Sequence, residues 1–292
     1  MPDILLHVTA SALYAALALY FWRTRWAAAA APGAMRAWER AAMLVPLAFH
    51  GWLLVRALVL PATLHFGFGL ALSVTLWFGV LVYVVESLFL NLDGMQPLVL
   101  PVAALAAPLP ALFPGLAGVS AYAASIEFRL HVLLAMAAYS VFTIAILHAV
   151  LMSLIERRLH RAHRGSQSGE HRAPAGHDGS RPLTGPWASL PPLLTLERLL
   201  FQLIGIAFAL LTLTLATGSI FSESLFGRPA RFNHKTVFAV LSWLTFAVLL
   251  VGRRFYGWRG RTALRWTLAG FVLLLLAYVG SRFVLEVVLG RT

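Results

Sequence analysis

The feature that most constrains this chain is a series of eight apolar runs, each close to the length that crosses a bilayer. The runs lie near residues 4–22, 41–60, 70–90, 97–117, 129–155, 199–221, 235–252 and 264–288. A helix of about 20 apolar residues spans the hydrocarbon core, and only helices or closed barrels satisfy every backbone polar group there. The runs therefore predict an all-α, polytopic transmembrane helical bundle of about eight spans.

The composition excludes an ordinary soluble domain. Apolar residues make up 60% of the 292 residues and charged residues 12%, whereas soluble domains carry about 45–50% and about 25%. A formal charge of +12 would indicate nucleic acid in a soluble protein, but basic cytoplasmic loops explain it in a membrane protein. We therefore expect a lipid bilayer around the chain and no nucleic-acid partner.

The arginines predict the orientation of the spans. They concentrate between runs 1 and 2, 5 and 6, and 7 and 8, and these three connections share one side of an eight-span chain. Basic loops face the cytoplasm, so both termini are expected in the periplasm of a multi-pass protein of the bacterial inner membrane. The first run has no basic segment before it and is followed by Arg23 and Arg25, which favours a retained span over a signal peptide.

Two segments depart from the simple pattern of spans. The fourth run contains five prolines, which predict a kinked or partly re-entrant helix; they are Pro97, Pro101, Pro108, Pro110 and Pro114. The residues around 161–182 are rich in Gly, Ser, Pro and Arg, which is typical of a disordered linker. The predicted organisation is one membrane domain, with spans 1–5 in 1–156, a polar cytoplasmic linker in 157–197 and spans 6–8 in 198–292.

Histidines at membrane depth provide the candidate metal ligands, because polar groups there are costly and often functional. His131 and His234 are predicted at the same outer depth on different helices, and two neutral imidazoles can ligate a haem iron axially. His50 and His148 are lower-ranked candidates. His148 follows His131 by 17 residues, which is about 25 Å along a helix, so these two cannot serve one centre.

A haem also requires apolar walls and cations for its two propionates. The candidate walls are the aromatic residues Phe128, Tyr139, Phe232, Trp243 and Tyr278. The candidate propionate partners are Arg129, Arg231 and Arg282, since guanidinium groups bind carboxylates through paired hydrogen bonds.

Structural roles for the same residues remain open at this point. A histidine inside a span can simply join two helices by a hydrogen bond, and aromatic residues at span ends often form an interfacial belt. Arg129 and Arg231 can extend toward the interface. Glu86 and Arg56 can form a structural ion pair.

Four segments resemble a known family. They are FRLHVLLAMAAYS at 128–140, YVVESL at 83–88, FNHKTVFAVLSWLTFAVLLVGRR at 232–254 and the terminal stretch 256–286. Together they resemble cytochrome c assembly proteins of the CcsA/CcmC/HemX superfamily, in its YpjD-like inner-membrane branch. The family's tryptophan-rich loop has no counterpart before run 7, where SESLFGRPARFNHK stands.

The resemblance implies a haem-handling protein that serves cytochrome c biogenesis. It implies haem b as the cofactor, His131 as the family's first outer-face haem histidine, and other cytochrome c maturation proteins and apocytochrome as partners. The chain has no nucleophile–base pair, HExxH motif or phosphate loop, and no cysteine. We therefore expect no enzymatic activity of its own.

Two other functions remain as alternatives. The first is a membrane transporter or assembly partner without bound haem, in which Glu86, Arg56, His50 and His148 line a polar path beside the broken fourth span. The second is a HemX-like regulator of tetrapyrrole synthesis that acts through the cytoplasmic segment 157–196.

Overall fold

The protein is a bundle of helices in a computed structural model that describes residues 2–27, 35–59, 67–90, 92, 94–114, 126–167, 192–226, 234–280 and 283. The helices are α1 (Pro2–Phe21), α2 (Ala37–Val59), α3 (Phe68–Phe89), α4 (Gln96–Ala106), α5 (Leu109–Leu112), α6 (Ile126–Gln167), α7 (Leu193–Phe226), α8 (His234–Tyr256) and α9 (Gly260–Leu275). Two π-helical turns, Trp22–Trp26 and Leu276–Gly280, extend α1 and α9.

Within these ranges, seven helices are long and apolar enough to cross a membrane. Their spanning parts are Asp3–Trp26, Ala37–Leu58, Phe68–Phe89, Ile126–Arg157, Leu193–Ile220, His234–Tyr256 and Gly260–Gly280. The fourth apolar run instead forms the shorter pair α4 and α5, which together cover Gln96–Leu112. The prediction of an all-α, multi-span membrane bundle is therefore confirmed.

The short fourth segment runs antiparallel to α1 along most of its length. Three hydrogen bonds mark this register: Trp26 Nε1 to Gly94 O at 3.1 Å, Ser11 Oγ to Ala104 O at 2.7 Å, and His7 Nδ1 to Ala107 O at 2.7 Å. The helix breaks after Ala106 and resumes at Leu109, with Pro108 in the break, because proline lacks an amide hydrogen for the helical ladder. The expected kink is present.

The helices alternate in direction, and α3 and α6 run parallel as neighbours. Ser140 donates to the Thr75 carbonyl at 2.8 Å, and Glu86 faces His148 further along the same pair of helices. The chain must therefore cross the bundle between α3 and α6, which is what α4 and α5 do.

This alternation gives the bundle two distinct ends. We call the end that contains Arg25, Arg157 and Arg253 the arginine-rich end, and the end that contains His131 and Thr217 the histidine end. The three basic connections thus share one end, as their spacing predicts. The membrane side that each end faces remains a prediction from the arginines.

Ion pairs with arginine hold two acids at the arginine-rich end. Arg25 Nη2 lies 2.8 Å from Glu39 Oε2, and both side chains are buried. Arg253 Nη1 lies 2.5 Å from Glu197 Oε1, which connects the start of α7 with the end of α8.

The suggested ion pair between Glu86 and Arg56 is wrong. Arg56 Nη2 lies 3.7 Å from Asp3 Oδ1 instead, at the histidine end. The reason is the antiparallel packing of α2 and α3, in which His50 contacts Ser73. This register carries Arg56 and Glu86 to opposite ends of the bundle.

Helices α6 to α9 form a group of four that positions the candidate site. Helix α6 contacts α8 through the stacked rings of Phe142 and Phe246, whose centroids are 4.0 Å apart. Helices α7 and α9 pack against both. Helix α6 continues to Gln167 and α7 begins at Leu193, so most of the predicted linker, 168–191, lies outside the described residues.

Candidate functional site

His131 lies near the start of α6, where a neighbouring helix holds its ring. The side chain is half-buried, and its Nδ1 lies 3.0 Å from Thr217 Oγ1 on α7. The ring also lies against Gly218: a Cβ added there would be 3.1 Å from its Cε1. Because the hydrogen bond occupies Nδ1, Nε2 is the nitrogen that remains for a metal ion.

His234 is the first residue of α8, and its side chain is exposed. It precedes Phe246 by 12 residues, and His131 precedes Phe142 by 11. Helices α6 and α8 run in the same direction, so both histidines lie about 17 Å from the stacked phenylalanines by the rise of a helix. The register therefore agrees with the predicted common depth. No contact among the described residues joins the two rings, so a shared iron stays a prediction.

Two of the candidate wall residues, Tyr139 and Trp243, form hydrogen bonds between helices. Tyr139 donates its hydroxyl hydrogen to the Leu274 carbonyl at 2.6 Å, which connects α6 with α9. Trp243 donates from Nε1 to Thr212 Oγ1 at 2.9 Å and stacks on Phe208 with ring centroids 5.4 Å apart. These bonds give both residues a structural role, and a further role as a wall stays a prediction.

The candidate propionate partners belong to parts of the chain that the structure does not describe. Arg231 and Arg282 lie outside the described residues, as does the side chain of Arg129 on α6. Phe232, one of the candidate walls, also lies outside them. Their contribution to a haem site remains a prediction from the sequence.

The lower-ranked histidines occupy separate interhelical contacts. His50 Nε2 lies 2.9 Å from Ser73 Oγ, and the Tyr14 ring packs edge-on against the imidazole. His148 donates from Nδ1 to the Ile144 carbonyl at 3.0 Å. Among the residues that the structure describes, no group of three or more His, Asp or Glu side chains could hold a metal ion.

Sequence reasoning missed the contribution of α7 to this site. Thr217 and Gly218 touch the His131 ring, yet threonine and glycine are ordinary residues in a membrane helix. A signal did exist, because the pair lies near the outer end of run 6, at the depth predicted for His131. Comparing depths between spans would have placed the three residues at one level of the bundle, but not in contact.

The chain matches the family described as Cytochrome C assembly protein over residues 10–289. It is 40% identical over 99 residues to the inner membrane protein YpjD of Escherichia coli K12, covering 34% of this chain and 37% of YpjD. It is 31% identical over 86 residues to the cytochrome c biogenesis protein CcsA of Trichormus variabilis, covering 30% of this chain and 24% of CcsA.

A longer match exists to a protein without an assigned role. The chain is 31% identical over 236 residues to an uncharacterized 28.8 kDa protein of Azospirillum brasilense, covering 77% of this chain and 78% of that protein. The matches to YpjD and CcsA, in contrast, span well under half of those relatives. No solved structure matches the chain.

Proposed function

The chain belongs to the cytochrome C assembly protein family, and on that premise we propose that it binds haem during cytochrome c biogenesis. The observation that carries this proposal is the anchored imidazole of His131, whose Nδ1 is bonded to Thr217 while Nε2 remains for iron. When bound, haem would supply an iron whose open coordination positions an imidazole can fill. We propose haem b, because the chain has no cysteine that could attach the porphyrin covalently.

The four-helix group supports a site between α6 and α8. The two helices meet at the Phe142–Phe246 stack, and both histidines lie at similar distances from it on the same side. His234 would be the second protein ligand to the iron, in keeping with its exposed position at the start of α8. Arg129, Arg231 and Arg282 remain the proposed propionate partners, since haem carboxylates require cations.

The protein is proposed to hold and present haem rather than to catalyse a reaction. Its own residues would bind the iron at the histidine end, and the thiols for covalent attachment would come from an apocytochrome partner. Other cytochrome c maturation proteins are the further proposed partners. The spans and the YpjD relative, named as an inner membrane protein, support a location in the bacterial inner membrane, with the histidine end facing the periplasm.

The proposed function is tested by the absorption spectrum of the full chain, purified in detergent after haem feeding. Wild-type protein should show a Soret band, and His131→Gln should lose most of it. The matched control is His7→Gln, which removes an imidazole near the same end of the bundle but on α1, where it bonds to Ala107. Wild-type protein that takes up no haem, or equal haem content in His131→Gln, would overturn the proposal.

The transport alternative gains no support from the contacts. The four residues of the suggested polar path fall into separate contacts among the described residues: Arg56 with Asp3, His50 with Ser73, and Glu86 with His148. The regulatory alternative depends on residues largely outside the described ranges. Deleting 168–185 separates it from haem binding, because that deletion should leave the Soret band intact.

A further inference from the structure

We propose that Thr217 is a positioning residue that selects the tautomer of His131 and so presents Nε2 to iron. This inference rests on the proposed haem site. It assigns a role to helix α7, which supplies no candidate ligand. The contact that carries it is the 3.0 Å hydrogen bond between His131 Nδ1 and Thr217 Oγ1.

The direction of this hydrogen bond follows from the other contacts of the threonine. Thr217 Oγ1 lies 2.9 Å from the Leu213 carbonyl and 3.1 Å from the Thr214 carbonyl, and carbonyls only accept hydrogen bonds. A hydroxyl has one hydrogen, and the helix backbone uses it. The hydroxyl therefore accepts at the contact with His131, so Nδ1 carries the ring proton. In a neutral imidazole, Nε2 then has the lone pair that binds a metal.

Gly218 fixes the ring against the helix that carries Thr217. A Cβ at this position would lie 3.1 Å from His131 Cε1, 3.7 Å from Nδ1 and 3.9 Å from Nε2. The first of these distances is shorter than an ordinary van der Waals contact, so only glycine lets the ring approach this closely without a shift. Thr217 thus sets the protonation of the ring, and Gly218 sets its distance from α7.

The Thr217 hydroxyl, as an acceptor, should also affect the haem affinity and the reduction potential of an iron bound to His131. Hydrogen bonds from the second nitrogen of a metal-bound histidine fix its orientation and increase its basicity, and losing them typically costs about 10–100-fold in metal affinity. Thr217→Val preserves the shape of the side chain and removes the acceptor. We expect it to weaken haem binding about 10–100-fold and to raise the reduction potential, because a less basic ligand stabilises ferric iron less.

The helix offers a closely matched control in Thr212. Its hydroxyl also bonds back to a carbonyl four residues earlier, Phe208, and also accepts from a ring nitrogen, that of Trp243. Thr212→Val therefore removes the same kind of interhelical bond without touching His131. Because its partner Trp243 is a candidate wall of the haem site, this control is compared by the tautomer of His131 in the haem-free protein. A purely structural effect of losing such a bond would appear in both variants.

The decisive experiment combines nitrogen NMR of the haem-free full chain, labelled with ¹⁵N-histidine, with titration of haemin. We expect the Nδ1–H tautomer of His131 in wild type, Thr217→Ser and Thr212→Val, and a shift toward Nε2–H in Thr217→Val. Haemin affinity should fall in Thr217→Val and return to the wild-type value in Thr217→Ser. His131→Gln assigns the NMR signal.

The outcomes separate this inference from the proposed function. If wild type binds haemin through His131 but Thr217→Val keeps the same tautomer and affinity, the role of Thr217 is overturned and the haem site stands. An equal shift of the His131 tautomer in Thr217→Val and Thr212→Val would also overturn it. If wild type binds no haemin, the proposed function fails, and the positioning role fails with it.

Discussion

Glu86 on α3 and His148 on α6 face each other with 3.8 Å between Oε2 and Nε2. Neither of these two buried atoms has a hydrogen-bond partner among the described residues. The buried acids Glu39 and Glu197, at the same end of the bundle, instead pair with the arginines Arg25 and Arg253. Glu86 therefore has a partner that can be neutral, whereas the other two acids face permanent cations.

This difference predicts that replacing Glu39 lowers the free energy of unfolding more than replacing Glu86. Glu39→Gln removes the carboxylate that pairs with the buried Arg25 guanidinium, which is 5% exposed, and breaking a buried pair in this way costs about 3–5 kcal/mol. Glu86→Gln offers an amide that can donate to the Nε2 lone pair of a neutral His148, so the change should stay within about 1 kcal/mol. Denaturant unfolding in mild detergent, followed by circular dichroism, measures both. Equal losses of unfolding free energy in the two variants would show that Glu86, like Glu39, stabilises the bundle as a charged carboxylate.

The packing around the Phe142–Phe246 stack predicts that Gly270→Ala lowers the stability of the bundle. A Cβ there would lie 2.9 Å from Phe246 Cε2 and Cζ, so Gly270→Ala must push a ring that is fully buried. Overpacking of this kind costs about 1–3 kcal/mol, and the displaced ring should also change the separation of α6 and α8. Denaturant unfolding in mild detergent tests the expected loss of stability.

Gly205 on α7 provides the control for this packing prediction. A Cβ at Gly205 would meet nothing within 4 Å, and alanine is favoured over glycine inside a helix by about 1 kcal/mol. Gly205→Ala should therefore leave stability unchanged or slightly increased. A comparable loss of unfolding stability in Gly270→Ala and Gly205→Ala would mean that the Phe142–Phe246 stack is not tightly packed.

The apolar runs predicted the helices well, because about 20 apolar residues have one stable arrangement in a bilayer. The fourth span differs, since its prolines limit helix length, and only the contacts with α1 show that α4 crosses the bundle. The contacts between helices were less predictable. Hydropathy does not specify the rotation of a helix about its axis, so neither the Glu86–His148 contact nor the Thr217–His131 bond could be derived from the runs.

The variant Tyr139→Phe distinguishes a structural role of Tyr139 from a role as a wall of the haem site. Tyr139→Phe removes the hydroxyl that donates to the Leu274 carbonyl, and losing one buried hydrogen bond costs about 0.5–1.5 kcal/mol. The aromatic ring remains, so a wall contact would be preserved. We expect lower unfolding stability and an unchanged Soret band. Loss of the band at full stability would instead place the hydroxyl itself in the haem site.

Substitution of His234 tests whether the iron has one protein ligand or two. If His131 and His234 both bind the iron, reduced and oxidised wild-type protein should show low-spin spectra, because two imidazoles impose a strong ligand field. His234→Ala should then give a high-spin spectrum while retaining haem through His131. The substitution should fold normally, since this side chain is exposed at the first residue of α8. A low-spin spectrum that persists in His234→Ala but not in His131→Gln would show that the second axial ligand comes from another residue or from a partner, and the shared site between α6 and α8 would have to be abandoned.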